Sequence, residues 1–144
     1  MAGKVVGVCI SEKRGTAKKN VGRGYLRAGL GLEGDGHAGT FKEVSLAMAE
    51  SARRLAGEHN LEAVPGDFAE NILIEGIDLR TVTVGQRLRV GAALLEVVQI
   101  GKDVQPHHYS FHGLRLLPTE GVFCRVLGSG PVAVGDPVEL VTGA

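Results

Sequence analysis

Two segments of this chain hold chemistry-bearing side chains at spacings that could act together. The first, Gly34-Asp35-Gly36-His37-Ala38-Gly39, has three glycines among six residues. Glycine lets the backbone approach a ligand closely and turn successive N–H groups inward, as in an anion-binding nest. His37 can donate a hydrogen bond, or a charge when protonated, to a phosphate or oxyanion. The same residues equally suit a tight loop in which Asp35 caps its own backbone and His37 merely packs. The second segment, running from Gly101 and Lys102 to His112, contains His107, His108 and His112. Neutral imidazole is a common zinc ligand, and His108 and His112 would share a helix face. Pro106 argues against a helix, however, and neither a cysteine nor an acidic helper stands nearby at a zinc-site spacing. The segment therefore reads as a solvated loop without metal, with Lys102 as an anion contact at a strand end.

Two smaller groups follow. In Pro65-Gly66-Asp67-Phe68-Ala69-Glu70-Asn71 the carboxylates of Asp67 and Glu70 stand three residues apart, ahead of the apolar run Ile72-Leu73-Ile74. Paired carboxylates can do acid–base work when their environments differ. They serve as well in a capped turn, accepting backbone N–H bonds before a strand. In Val122-Phe123-Cys124-Arg125-Val126-Leu127, alternation puts Cys124 with Val122 and Val126, and Arg125 with Phe123 and Leu127. A cysteine so flanked is either a small buried hydrophobe or, where positive charge is close and solvent can reach it, a nucleophile. Cys9, in line with Val5 and Gly7, reads as core.

The elements that must position these groups are punctuated by glycine. The 144 residues include 22 Gly, roughly twice the usual share of about 7%. Lys4 to Ile10, Val84 to Gly91, Leu94 to Ile100, Val122 to Leu127 and Pro137 to Thr142 read as strands, the second and third as a hairpin. Short strands separated by turn signals predict a mainly β chain, a closed or nearly closed β-barrel with one or a few short peripheral helices. One helix is expected around Met48, Ala52 and Leu55, stopping near Gly57, although Val44-Ser45-Leu46 could end a strand. Ser11 to Arg27 is expected to be a loop. The whole of 1–144 reads as a single domain. With 16 basic and 16 acidic residues, the chain lacks the positive balance of a broad nucleic-acid binder. No run approaches the length of a membrane span and no signal-peptide design opens the chain. Two cysteines make no disulfide scaffold, so the expected compartment is the reducing cytoplasm.

Taken in order, several segments resemble the MOSC domain, named for the C-terminal domain of molybdenum-cofactor sulfurases, in its small stand-alone bacterial form. They are Ser11 to Lys19, Gly31 to Gly39 with Val44-Ser45-Leu46, Pro65 to Ile72 with Glu75 to Leu79, Leu94 to Lys102, and Glu120 to Val126. The resemblance spans about Lys4 to Val138. It implies a β-barrel and a role with the molybdenum cofactor (molybdopterin), either binding the pterin or carrying sulfur through a family cysteine. It brings no NAD and no haem. By this resemblance Gly34, Asp35, Gly36, His37, Gly39, Asn71, Lys102 and Arg125 form the cofactor-binding set, and Asp67 and Glu70 shape the cleft wall. The implied partners are a small anionic cofactor and a molybdoenzyme or cofactor-biosynthesis protein, with no nucleic acid and no membrane. The sequence departs from relatives after Gly101-Lys102, where they carry a cysteine two positions on and this chain reads Asp103-Val104-Gln105. Three readings follow: a cofactor-binding barrel, a sulfurtransferase whose catalytic thiol is Cys124, or an interaction domain that has lost the family cysteine.

Overall fold

Side chains along Val122–Gly128 alternate in direction, with Val122, Cys124 and Val126 turned inward, Phe123 buried on the opposite face and Arg125 left in solvent. Apolar residues from six further strands meet the inward face, so the sheet curls until its edges pair and leaves no open edge around the core. The computed structural model of the chain describes residues 2–141. In chain order the elements are β1 (Ala2–Ile10), β2 (Lys19–Asn20), β3 (Arg23–Arg27), β4 (Gly31–Leu32), β5 (Val44–Met48), α1 (Ala49–Gly57) and β6 (Ile72–Glu75). There follow a 3-10 turn (Leu79–Thr81), β7 (Arg87–Val90), β8 (Ala93–Ile100), α2 (Leu117–Glu120), β9 (Val122–Gly128), β10 (Gly130–Ala133) and β11 (Pro137–Val141).

The barrel is a closed ring of seven strands in the order β11-β7-β8-β9-β5-β6-β1, sealed where β1 pairs antiparallel with β11. Its pairs are antiparallel except β5 with β6, which run parallel. A parallel pair needs a crossover. Here α1 and the loop to Asn71 provide it, packing across the outside of the barrel. Leu26, Leu32 and Val132 from the small sheet β10-β3-β4 join Val5, Leu46, Ile74, Leu88 and Leu95 in the barrel interior. A second apolar cluster lies outside the wall. There Ala47 of β5, Leu73 of β6 and Phe123 of β9 point outward against Ala52 of α1, Phe68, Leu116 and Leu117. This outer cluster places the site described below.

The closed barrel with short peripheral helices meets the expectation from sequence, with local differences. The strand expected from Val84 begins only at Arg87, because Gly85 takes a φ of 97° and the Gln86 N–H closes a turn on the Thr83 carbonyl. The stretch expected to be loop, Ser11 to Arg27, contains β2 and β3. Leu26 is driven into the core and β3 pairs in register with β10. Met48 remains in β5 and the helix starts at Ala49. The closing strand runs to Val141; Thr142 lies outside the described residues. Among the described residues, no helix is long and apolar enough to cross a membrane.

Leu88 is fully buried in the barrel interior. Leu88→Ala should lower the unfolding free energy by about 2–5 kcal/mol, the range for deleting a packed leucine side chain. Urea denaturation followed by far-UV circular dichroism measures it.

Candidate functional site

The connection from β8 to β9 leaves the barrel at Gly101 and returns only at Leu117, standing off the outer wall. Between it and the wall lies a cleft of about 380 Å³. Phe123, Phe68, Leu116 and Leu117 make its floor and back from the outer apolar cluster. Ser45 and Asn71 add polar atoms to the wall, but both are already engaged. The Asn71 Oδ1 accepts from the Ser45 N–H at 3.0 Å, its Nδ2 donates to the Cys9 carbonyl at 3.0 Å, and its N–H donates to Ser45 Oγ. Asn71 thus ties β5 and β6 to the end of β1.

The excursion is held in shape by its own side chains. The Arg115 guanidinium donates to the carbonyls of Pro106, His108 and Tyr109 at 3.3, 2.9 and 3.3 Å. The Tyr109 hydroxyl donates to the Asp67 carbonyl at 2.6 Å, and Phe111 meets Phe68 edge-on at 5.3 Å. These contacts latch the excursion to the loop 65–70. Glu70, buried beneath that loop, accepts from the N–H groups of Gly66 and Phe68 at 2.8 and 3.2 Å. Gly66 takes a φ of 96°, and a side chain there would run into the Lys18 carbonyl. Asp67 and Glu70 therefore shape the wall, and neither lines the cleft.

Three cations line the cleft: Lys42, whose ammonium stands 5.1 Å from the Phe123 ring centroid, Lys102 and Arg115. His37, His107 and His108 add three imidazoles, and no carboxylate is among the lining residues. Burial lowers the Lys102 pKa from its ordinary value, and the charges of Lys42, Lys18 and Arg115 push it the same way. The Gln105 N–H donates to His108 Nδ1, which in the neutral ring leaves the proton on Nε2. An electropositive cleft over an aromatic floor suits a flat ligand with an anionic end.

His37 is set by a buried ion pair. Lys18 Nζ meets Asp35 Oδ1 at 2.7 Å, with side-chain exposures of 1% and 0%. The same carboxylate accepts from the Ser11 and His37 N–H groups, and its Oδ2 lies 3.7 Å from His37 Nδ1. Burial alone would raise the Asp35 pKa; the bonds from His37 and Lys18 outweigh it and hold the carboxyl well below the usual carboxylate range.

The site residues expected from sequence divide accordingly. His37, Lys102 and Asn71 line the cleft. Asp35 works from beneath, through His37. Gly34, Gly36 and Gly39 do not line the cleft, and the loop is no open nest. The N–H of Gly36 is spent on the Ser11 carbonyl and that of Gly39 on the Leu30 carbonyl. Gly36 serves instead to let the loop pass against the backbone of Lys13 and Arg14, where a Cβ would sit at 2.8–2.9 Å. Arg125 lies on the exposed barrel surface, paired with Glu96 at 2.6 Å, away from the cleft. Cys124 is enclosed in the barrel interior among Val44, Val97 and Val122, and burial pushes its thiol far up. Cys9 is buried too, raised first by burial and then by Glu70. No thiol lines the cleft; Val104, where the resemblance implies a cysteine, does. Among the described residues, no three His, Cys, Asp or Glu side chains are placed to hold a metal ion.

Lys42, Arg115, Phe68 and Phe123 were not singled out as site residues by sequence. Arg115 had one visible signal, a lone cation between Leu114 and Leu116-Leu117. Lys18 had none that set it apart from Lys13 or Lys19. His107 and His108, expected in a solvated loop, stand on the cleft rim.

The two buried carboxyls respond to pH in opposite directions. Asp35 is depressed from 3.8, so its stabilisation is complete above that value and is lost as pH falls through its folded pKa. Burial pushes Glu70 from 4.5 up to about 7, against the N–H bonds it accepts. Its contribution is therefore complete below about 4.5 and lost as pH rises through about 7. In urea melts across pH values from about 4 to about 9, Glu70→Gln should flatten the decline between about 4.5 and about 7. Asp35→Asn should cost about 3–5 kcal/mol near neutral pH by leaving Lys18 buried and unpaired.

Comparison with known proteins agrees with this architecture. A family model described as MOSC domain matches residues 33–139. The chain superposes on the YuaD protein from Bacillus subtilis with a TM-score of 0.77 at 20% identity, covering 100% of this chain and 98% of that one. It superposes on YiiM from Geobacillus stearothermophilus with a TM-score of 0.76 at 21% identity, covering 97% and 75%. For YiiM from Escherichia coli the TM-score is 0.70 at 26% identity, covering 100% and 71%. None of the curated proteins matches the chain. With the seven-strand barrel closed and the family match spanning most of its length, this chain belongs to the MOSC domain family.

Proposed function

We propose that this protein binds a molybdopterin-type cofactor, a pterin bearing a phosphate, reversibly in the cleft and without a covalent or thiolate bond to the chain. The observation that carries the reading is the composition of the cleft. Lys42, Lys102 and Arg115 line it without a carboxylate among the lining residues, over a floor that includes Phe68 and Phe123. A phosphate would take charge-assisted hydrogen bonds from Lys102 and Arg115, which their geometry and valence favour. The fused ring would lie against the apolar floor, beside Lys42. His37, steadied by Asp35, offers a further donor at the wall. When bound, such a cofactor supplies the sulfur ligands for its own metal. The chain's residues recognise and orient it.

A sulfur-carrying role is not favoured, because a sulfur nucleophile must be an accessible thiolate. Both cysteines are buried with raised pKa values, and Val104 occupies the wall position. Handling rather than transformation fits a cleft with recognition groups and no cysteine nucleophile, which points to handover between cofactor-using partners in the cytoplasm.

Binding of a pterin phosphate, followed by ligand fluorescence, tests the reading. Lys102→Ala and Arg115→Ala should each weaken binding roughly tenfold or more, as loss of a charge-assisted bond to phosphate does. Added salt should weaken the wild type, and Arg125→Ala should change nothing. Binding that is absent in the wild type, or indifferent to both cleft variants, overturns it.

A further inference from the structure

The six lysines are not chemically alike. Lys18 is locked to Asp35, Lys4 pairs with Glu75 at 3.5 Å, and Lys13 and Lys19 stand in solvent. Lys42 lies over an aromatic ring. Lys102 differs from all of these. Its backbone is fixed at the mouth of the excursion, where its N–H donates to the Pro118 carbonyl at 3.1 Å. Gly101 before it has a φ of 68° and sits where a Cβ would meet the same carbonyl at 2.6 Å. The amine is half-buried in the cleft and, among the described residues, has neither a carboxylate nor a hydrogen-bond partner. It is crowded by Lys42, Lys18 and Arg115. An ammonium desolvated among like charges surrenders its proton more readily, and the free amine is a nucleophile.

We propose that Lys102 is a nucleophilic amine that condenses reversibly with small aldehydes bearing a phosphate, so that the cleft captures carbonyl compounds as imines. The proposal rests on the anion-binding reading of the same cleft. Arg115 and Lys42 would hold the phosphate and leave the aldehyde carbon beside Lys102. The free amine, its proton released to solvent, adds its lone pair to the carbonyl carbon. A carbon–nitrogen double bond forms as the carbonyl oxygen leaves as water, and hydrolysis reverses the step with no change of oxidation state. The apolar floor at Phe123, Leu116 and Leu117 limits the water that would drive that reversal.

Pyridoxal 5′-phosphate and 5-deoxypyridoxal, which share an open aldehyde and differ in the phosphate, are the probes. After borohydride trapping, peptide mass spectrometry should find one pyridoxal 5′-phosphate adduct per chain, on Lys102. It should form about tenfold or more faster than the 5-deoxypyridoxal adduct, the scale of electrostatic steering into a charged cleft. Lys102→Arg, which keeps the charge, should abolish it, and inorganic phosphate should slow it. Adducts spread over Lys13 and Lys19 overturn the proposal. So does an unmodified Lys102 in protein that still binds pterin phosphate, an outcome that leaves the anion-binding reading intact. Equal modification of Lys102 by both probes removes the phosphate requirement, and failure of pterin phosphate to bind removes the anion-binding reading with it.

Discussion

The Lys18–Asp35 pair decides where the rest of the site can be. A single buried carboxylate collects bonds from the Lys18 ammonium, the Ser11 amide at the end of the first barrel strand, and the His37 amide. Two stretches with no regular structure of their own, 11–18 and 33–43, are thereby fixed to one point. Taking two charges out of water costs several kcal/mol per ion, and direct pairing with added hydrogen bonds is what offsets it. Apolar side chains of the same volume could fill the space, but they could not hold two loops by the Ser11 and His37 amides. The ion pair contributes direction, and the imidazole at the cleft wall inherits it.

Charge segregation follows from a similar economy. The chain's formal charge is zero, yet its acids are mostly committed elsewhere. Glu96 takes Arg125 and Arg87, Glu120 takes Arg54 and the Ser51 hydroxyl, Asp78 takes Arg80, and Glu33 takes Arg27. What remains around the cleft is cationic. A bulk balance near neutrality argues against wide nucleic-acid surfaces, but it says little about a concavity a few side chains across. There, focused by an apolar wall, a few charges suffice.

The barrel was readable in the sequence because its signal is local. Alternation along Val122–Leu127 and Leu94–Ile100, with glycines at the breaks, states which face is buried before any partner is known. The cleft was only half readable for the opposite reason. Lys102 and His37 sit in glycine-marked motifs, whereas Lys42 and Arg115 acquire their place through pairings across the fold. Cys124 shows the limit of alternation. The period assigned it the same side as Val122 and Val126, which proves to be the closed interior, while Arg125 takes the outer face beside Glu96. Period separates two faces; it does not say which face meets a ligand. The glycines of the 34–39 loop likewise announced a special backbone, but whether their amides are free depends on the Ser11 and Leu30 carbonyls opposite.

The ring order also has a dynamic consequence. The seam between β1 and β11 lies across the barrel from the β5–β9 pair on which the cleft is built. Three residue pairs register along that seam, Ala2 with Glu139 to Lys4 with Pro137, as many as join β5 to β9 and β5 to β6. What separates the two sides is packing outside the ladder: β5, β6 and β9 set Ala47, Leu73 and Phe123 into the outer apolar cluster. Partial opening, as native-state hydrogen exchange would detect it, is therefore expected first at the seam, which lacks that cover. Fluctuations there spread into the neighbouring β7–β11 pair before they reach Ser45 or Phe123. The molecule can breathe at one side of its circumference while the binding wall on the other keeps its shape.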